Sequence, residues 1–264
     1  MSRFEELSVQ PLPVDRPANP YRDAFYQRQA DWHGYEGPED VRDRHETRAR
    51  YYAWFTRGWL PEDRDTPILD IACGSGQFLY FLKKQGYTNV RGIDLDRKQV
   101  MLGRALGLDI IEGSIEDHLD PARGEYGLIA MLDIIEHFTR EELFPIMERV
   151  ARCLGPGGRL IASVPNAESP TGLGCYFADI THEMSFTPGS FEEMLFCHRL
   201  KLAALRDPWP VPLDLKRRLY YWIVRGMRGL EGLRLRTLGF NPPRIWSNVM
   251  WAMAAKEDVK TPPA

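Results

Sequence analysis

Residues 69–76 have the sequence LDIACGSG, which lies between a short apolar run and the helical segment 77–85. Two glycines one residue apart at such a junction let the backbone turn tightly and come close to a bound ligand, because neither carries a Cβ. A dinucleotide-binding turn would have a third glycine where Leu79 stands, and the lysine of a triphosphate-binding loop is missing. The stretch therefore predicts a nucleotide-like ligand of another kind, although an isolated glycine pair could also merely end a strand.

Short apolar runs alternate with helical segments around this turn. The runs are 68–72, 90–93, 108–111, 126–132 and 159–164, and the helical segments between them include 77–85, 97–106 and 140–154. Such alternation is typical of a parallel sheet covered by helices on both faces. We therefore expect an α/β fold with a doubly wound, mostly parallel sheet. A helix over 190–198, a strand over 200–206 and a closing strand over 248–256 complete the expected order.

A second motif, GIDLD at residues 92–96, ends the next apolar run. A carboxylate at the tip of this strand can accept hydrogen bonds from the two vicinal hydroxyls of a ribose. Asp94 is our candidate for that role. Asp96 is better placed to cap the helix that follows.

Together the two motifs resemble those of the class I S-adenosylmethionine-dependent methyltransferases. Their first motif is an acidic residue, two further residues, a small residue or cysteine, and Gly-x-Gly, and Asp70, Cys73, Gly74 and Gly76 occupy those positions. The resemblance implies that the glycine turn passes beneath the methionine part of S-adenosylmethionine and that Asp70 positions its amino group. It also implies that Asp94, with Leu95 beside it, binds the ribose.

Two further stretches extend the resemblance. Residues 112–117, EGSIED, stand where the family often has a Gly-Asp pair at the adenine, so the expected acid is replaced by Ser114 and the candidates are Ser114, Ile115 and Glu116. Residues 126–138, YGLIAMLDIIEHF, resemble the strand that ends beside the transferable methyl group. The resemblance implies that Met131, Leu132 and Asp133 border the cofactor.

Candidate proton acceptors are found in two places. The segment DITHEMSFTP, residues 179–188, resembles part of bacterial methyltransferases associated with polysaccharide, O-antigen and other glycans. Asp179, His182 and Glu183 lie on this loop, and we expect His182 to act as general base with Asp179 orienting it. His137 is the second candidate. A loop-anchoring hydrogen bond is the alternative role for His182, as a structural role is for His137.

Composition narrows the possible partners. The chain of 264 residues is 44% hydrophobic and 27% charged with a net charge of −3, which does not favour nucleic acid as a partner. Four scattered cysteines without a CxxC pair indicate no zinc ribbon and fit a reducing cytoplasm. We expect no transmembrane segment and no metal, although the histidines and acids named above include possible ligands.

The expected organisation is an extended arm over 1–20 followed by one domain over 21–264. Within that domain we expect a helical region at 39–60, the cofactor-binding core at 66–164, an acceptor loop with a helix and strand at 165–212, and a helical insertion at 213–240. The insertion has seven Lys or Arg against two acidic residues. It could be a lid, a surface for phosphorylated or lipid-linked acceptors with peripheral membrane contact, a self-association helix, or an amphipathic cover with a solvated basic face.

The function predicted from the sequence is transfer of a methyl group from S-adenosylmethionine to a hydroxyl, on a sugar of a glycan or of a glycosylated natural product. The acceptor is thus a small molecule or glycan. The alternatives are N-methylation of a small amine and a non-catalytic scaffold that binds the cofactor. The oligomeric state is left open.

Overall fold

The computed structural model describes residues 22, 25–26, 28–119 and 125–256. The arm expected over 1–20 lies outside the described residues.

Seven strands form one sheet in the order β3-β2-β1-β4-β5-β7-β6. All neighbours are parallel except β7, which runs antiparallel between β5 and β6. The expected doubly wound, mostly parallel sheet is confirmed. The strands are β1 Ile68–Ile71, β2 Val90–Asp94, β3 Ile110–Glu112, β4 Tyr126–Leu132, β5 Leu154–Pro165, β6 Leu200–Arg206 and β7 Val249–Lys256.

Helices cover both faces of this sheet. Successive residues of a strand point to opposite faces, so Ile129 belongs to one apolar core and Leu128 to the other. The helices are α1 Gln29–Trp32, α2 Pro38–Phe55, α3 Gln77–Lys84, α4 Arg97–Ala105, α5 Ile115–His118, α6 Arg140–Cys153, α7 Gly172–Tyr176, α8 Pro188–Cys197 and α9 Leu215–Thr237, with a 3₁₀ turn over Ile135–His137. Residues of α2, α3 and α4 fill one core, and those of α6 and α8 fill the other.

Side-chain caps fix where the helices beside the sheet edge begin. Asp96 accepts hydrogen bonds from the backbone N–H groups of Lys98 and Gln99, as its predicted capping role requires. Thr139 begins α6 and Thr187 begins α8, each through a reciprocal capping box. These caps hold the loops before them, and those loops carry the candidate site residues.

The segment before α2 packs over the carboxyl ends of the strands. Arg22 is 1% exposed and forms a bidentate ion pair with Glu142 at 2.6 and 2.7 Å. Its guanidinium also donates to the carbonyl of His137 at 3.1 Å. The backbone N–H of Ala30 donates to Asp96 at 3.1 Å. The N-terminal segment is therefore one wall of the space above the sheet.

Several expected boundaries and one expected loop differ from the structure. The helix expected over 39–60 ends at Phe55, because residues 56–60 leave the helical path before Pro61. The fifth strand starts at Leu154 rather than at 159, since the Gly-rich stretch 155–158 continues it. The loop after Pro165 contains the short helix α7.

Gly103 provides a stability test for the packing of α4 on the glycine turn. A Cβ on Gly103 would lie 2.8 Å from the carbonyl oxygen of Ser75 and 2.3 Å from Ile110 Cδ1. We expect Gly103→Ala to lower the free energy of unfolding by about 1 kcal/mol or more, because overpacking costs about 1–3 kcal/mol and outweighs the gain in helix propensity. Denaturant titration measures the change.

Gly229→Ala is the matched control on α9, where a Cβ would meet no atom within 4 Å. There the gain in helix propensity acts alone, and we expect stabilisation of up to about 1 kcal/mol. Equal effects of the two substitutions would contradict the close approach of α4 to the turn.

Candidate active site

A cavity of about 940 Å³ opens at the carboxyl ends of the parallel strands. This is the usual ligand side of an open α/β sheet. Eleven of the fourteen residues predicted for the site line it: Asp70, Cys73, Gly74, Asp94, Leu95, Ile115, Leu132, Asp133, His137, Asp179 and His182. The structure thus brings the cofactor motifs and the candidate bases to one space.

The glycine turn has the backbone geometry that its sequence predicts. Gly74 and Gly76 have φ angles of 57° and 82°, in the left-handed region that favours glycine. A Cβ on Gly76 would lie 2.6 Å from Leu108 Cδ1. Gly76 therefore shapes the turn from beneath and does not line the cavity, while Gly74 does.

Asp94 links the first two motifs. Its Oδ2 accepts from the N–H of Gly74 at 2.6 Å, and its Oδ1 accepts from the N–H of Asp96 at 2.8 Å. Burial raises its pKa to about 6. Each carboxylate oxygen keeps a lone pair after these bonds, so Asp94 can still accept from the hydroxyls of a ribose.

Asp70 and Arg48 offer complementary charges to an amino-acid group. Burial, followed by the nearby charge of Asp94, raises the pKa of Asp70 well above its ordinary value. A cation bound beside these two carboxylates would relieve that cost. Arg48 lines the same cavity, and its buried Nε has no hydrogen-bond partner among the described residues. The pair suits the amino and carboxylate groups of a methionine moiety.

Besides Gly76, two residues expected at the cofactor lie outside the cavity lining. The Ser114 hydroxyl accepts from the N–H of Asp117 and caps α5, so it serves the helix instead of facing the cavity. Met131 is fully buried, because its side chain points from β4 into the core that α6 and α8 fill. Ile115 and Glu116 line the cavity beside Gly113 and remain the adenine candidates.

The two candidate histidines lie against each other. Their ring centroids are 4.7 Å apart in an edge-to-face arrangement. His182 Nδ1 lies 2.8 Å from the carbonyl oxygen of Tyr176, which can only accept, so Nδ1 carries the proton and Nε2 keeps its lone pair. That Nε2 lies 3.9 Å from Glu136 Oε1.

Asp179 orients the other histidine. Its Oδ1 accepts from the Thr181 hydroxyl at 2.7 Å, and that hydroxyl lies 2.9 Å from His137 Nδ1. We expected Asp179 to pair with the ring of His182, but its hydrogen bonds lead through Thr181 to His137. The carbonyl of Tyr176 already binds the ring of His182. Burial, with a smaller contribution from His182, lowers the pKa of His137 to about 4.

Glu136 is a site residue that the sequence analysis missed. It is 2% exposed, and its Oε2 has no hydrogen-bond partner among the described residues. Burial, followed by the charge of Asp133, raises its pKa well above the ordinary value. Its position before His137 in the Glu-His pair was the available signal. Arg48, Arg22 and Tyr26 also line the cavity, but no local pattern marks them.

Glu136, His137 and His182 also have the spacing of metal ligands. One donor atom from each lies within 4.8 Å of the others. Imidazole and carboxylate together suit a divalent cation such as zinc. The expectation of a site without a metal therefore stays a prediction.

Comparison with known proteins agrees with the fold. Residues 68–158 match a family model described as a methyltransferase domain. The chain is 24% identical over 112 residues to a ubiquinone biosynthesis O-methyltransferase of Erwinia tasmaniensis, covering 40% of this chain and 45% of that protein. It is 29% identical over 116 residues to EEF1A lysine methyltransferase 2 of Mus musculus, covering 42% and 47%. The matches thus span less than half of these relatives.

Solved structures share the architecture over most of the chain. A SAM-dependent methyltransferase from Archaeoglobus fulgidus has a TM-score of 0.57 at 15% identity, covering 88% of this chain and 99% of that one. An S-adenosylmethionine-dependent methyltransferase from Mesorhizobium loti has a TM-score of 0.58 at 17% identity, covering 80% and 100%. The chain therefore has the fold of the class I methyltransferases, and residues 68–158 are similar to a methyltransferase domain. S-adenosylmethionine is the cofactor that the two motifs predict for this fold.

Asp94→Ala tests the assignment of the ribose site. We expect the affinity for S-adenosylmethionine to fall 10- to 100-fold, because losing a charged acceptor costs about 1.5–3 kcal/mol. In the unsubstituted protein the affinity should also weaken as the pH falls below about 6, where Asp94 takes up a proton. Calorimetric titration over a pH series measures both effects.

The control is Asp109→Ala, which removes an exposed carboxylate paired with Arg91. We expect it to leave the affinity unchanged. A folded Asp94→Ala protein with unaltered affinity would remove Asp94 from the cofactor site.

Proposed function

We propose that this protein transfers the methyl group of S-adenosylmethionine to a hydroxyl of a small-molecule acceptor, with His182 as the proton acceptor. The observation that carries this proposal is the lone pair on His182 Nε2, in the cavity that the cofactor motifs also line. A hydroxyl acceptor must lose a proton when it is methylated. A fixed imidazole with a free nitrogen can receive it.

Methyl transfer requires the protein to align the reacting atoms and to accept one proton. The hydroxyl oxygen forms a bond to the methyl carbon as the carbon–sulfur bond breaks, and its electrons return to sulfur to leave S-adenosylhomocysteine. The hydroxyl proton passes to His182 Nε2. The sulfonium supplies the electrophile, so the main task of the chain is to align oxygen, carbon and sulfur.

Glu136 stabilises the imidazolium that this transfer creates. Its Oε1 lies 3.9 Å from Nε2, and burial raises the pKa of Glu136 because a lone carboxylate is costly there. With Glu136 ionised, the proton that Nε2 accepts from the hydroxyl gives an adjacent imidazolium and carboxylate, in which each charge offsets the other. The pair then carries the one proton taken from the acceptor.

His137 is poorly suited to the same task. A pKa of about 4 keeps it neutral near pH 7 and makes it a weak proton acceptor. It is held by Thr181 and packs on the edge of His182, which suits a positioning residue. The structure therefore supports the order in which the two histidines were ranked from the sequence.

The acceptor is proposed only as a class. The choice of a sugar hydroxyl as acceptor rests on the resemblance of residues 179–188 to glycan methyltransferases. The relatives give it no further support, since their names refer to ubiquinone biosynthesis and to lysine methylation. N-methylation needs less help from a base because an amine can be deprotonated beforehand. Transfer of a labelled methyl group from S-adenosylmethionine to phenols, sugars or amines decides between these acceptors. A non-catalytic scaffold would transfer the label to none of them.

A cytoplasmic location stays a prediction.

His182→Ala tests the base. We expect turnover to fall about 10²–10⁴-fold with little change in cofactor affinity, the range found for loss of a positioned proton acceptor. Added imidazole should restore part of the rate, because it can occupy the vacated space and take the proton. Steady-state kinetics with and without imidazole measure this.

His137→Ala is the matched control, since this ring is buried in the same cluster. We expect a smaller loss and no rescue by imidazole. If His137→Ala abolishes turnover while His182→Ala keeps a near-parental rate, the proton acceptor has been misassigned.

A further inference from the structure

The face that α9 presents to solvent is apolar. Six large side chains on it recur at helical spacing and are between 52% and 83% exposed: Leu215, Leu219, Trp222, Ile223, Leu230 and Leu233. We call these six residues the apolar stripe. Intervals of three, four and seven residues put all six on one side of a helix, with Gly226 between Ile223 and Leu230. An exposed apolar surface of this kind marks an interaction site.

The opposite side of α9 is attached to the domain. Arg217 donates to the Tyr51 hydroxyl at 2.8 Å, and Arg228 pairs with Asp207 at 2.9 Å. Tyr221 packs edge-on against Trp54, and Gly232 is the buried residue of the helix. The helix is therefore held with its apolar stripe outward. The amphipathic cover with a solvated basic face, one of the expected alternatives, is not what the structure shows.

Basic residues flank the apolar stripe on both sides. Helical spacing puts Lys216 and Arg234 along one border, and Arg218, Arg225 and Arg236 along the other. Among the described residues Lys216, Arg218, Arg225 and Arg236 have no acidic partner within 4.0 Å. Glu231, the acidic residue of α9, is already paired with Arg234 at 2.7 Å.

We propose that α9 lies in the plane of an anionic lipid surface, with the apolar stripe in the boundary between headgroups and acyl chains and the flanking cations at the lipid phosphates. Helices that bind in this way combine an apolar face rich in Leu and Trp with Lys and Arg at its borders. Trp222 and Tyr220 are residues that favour the membrane interface. No described helix is long and apolar enough to cross a membrane.

Charge favours this occupant over a second copy of the chain. Two copies packed through the same surface would bring the two rows of cations together, and like charges at close range oppose association. A lipid surface with negative headgroups instead neutralises each cation. Each Lys or Arg near the surface then raises the affinity for the lipid about fivefold.

The docked helix would adjoin the cavity. Tyr51 and Trp209 line the cavity, and arginines of α9 bind both. Arg217 donates to the Tyr51 hydroxyl, and Arg228 donates to the Trp209 carbonyl at 2.9 Å. Binding to a lipid surface through the apolar stripe therefore brings this side of the cavity close to the bilayer.

Co-sedimentation of the full-length protein with vesicles tests the proposal. We expect binding to phosphatidylcholine vesicles containing 30 mol % phosphatidylglycerol as a rough starting fraction, weak binding to phosphatidylcholine alone, and weakening by added salt. Trp222→Glu and Leu230→Glu should each lower the affinity at least about tenfold, since each removes a large apolar side chain that the bilayer would bury. Arg218→Gln with Arg236→Gln should lower it about 25-fold.

Met101→Glu is the matched control, because Met101 is 61% exposed on α4, away from the apolar stripe. It should bind vesicles as the unsubstituted protein does. Thermal unfolding checks that every variant is folded. Sedimentation velocity should give the same mass for the unsubstituted protein and Leu230→Glu. Absence of vesicle binding, binding unaffected by the Glu variants, or a dimer that Leu230→Glu dissociates would each overturn the proposal.

Discussion

Two neighbouring carboxylates, the buried Asp70 and the half-buried Asp94, are the constraint on which the rest of the site depends. Asp70 is the penultimate residue of β1 and Asp94 is the last residue of the neighbouring parallel strand β2, and removal from water raises the pKa of both. Such a pair is costly without a cation or several donors close by. The left-handed glycine turn supplies one donor, the N–H of Gly74, and the N–H of Asp96 supplies another. A cofactor that carries an ammonium group and ribose hydroxyls would supply the rest, so the fold is arranged around the charge of its ligand.

The proposed proton transfer depends on a second buried group, Glu136, which lines the same cavity. Glu136 is protonated more readily than an ordinary glutamate, and it lies beside the one nitrogen of His182 that keeps a lone pair. Electrostatics therefore separate the cavity into two parts. The strand ends favour a cationic cofactor, and the loop after β5 favours a group that gives up a proton.

Local patterns in the sequence predicted much of this arrangement. The apolar runs and the glycine turn predicted the sheet, and Asp96 was recognisable from its neighbours as a helix cap. What could not be predicted depends on distant partners. A backbone carbonyl at Tyr176 holds His182, and backbone groups carry no residue-specific signal. Arg22 and Glu142 are 120 residues apart, and helical periodicity shows that α9 has two faces without showing which one meets solvent.

A crystal structure with S-adenosylhomocysteine bound would show directly whether Asp70 and Asp94 hold the cofactor with its sulfur toward His182. We expect the ribose hydroxyls within about 3.2 Å of Asp94 and the amino group beside Asp70. The space beyond sulfur should then open toward His182 Nε2, with room for one acceptor oxygen between them. A sulfur atom that faces away from His182, or a ribose bound elsewhere than at Asp94, would contradict this arrangement.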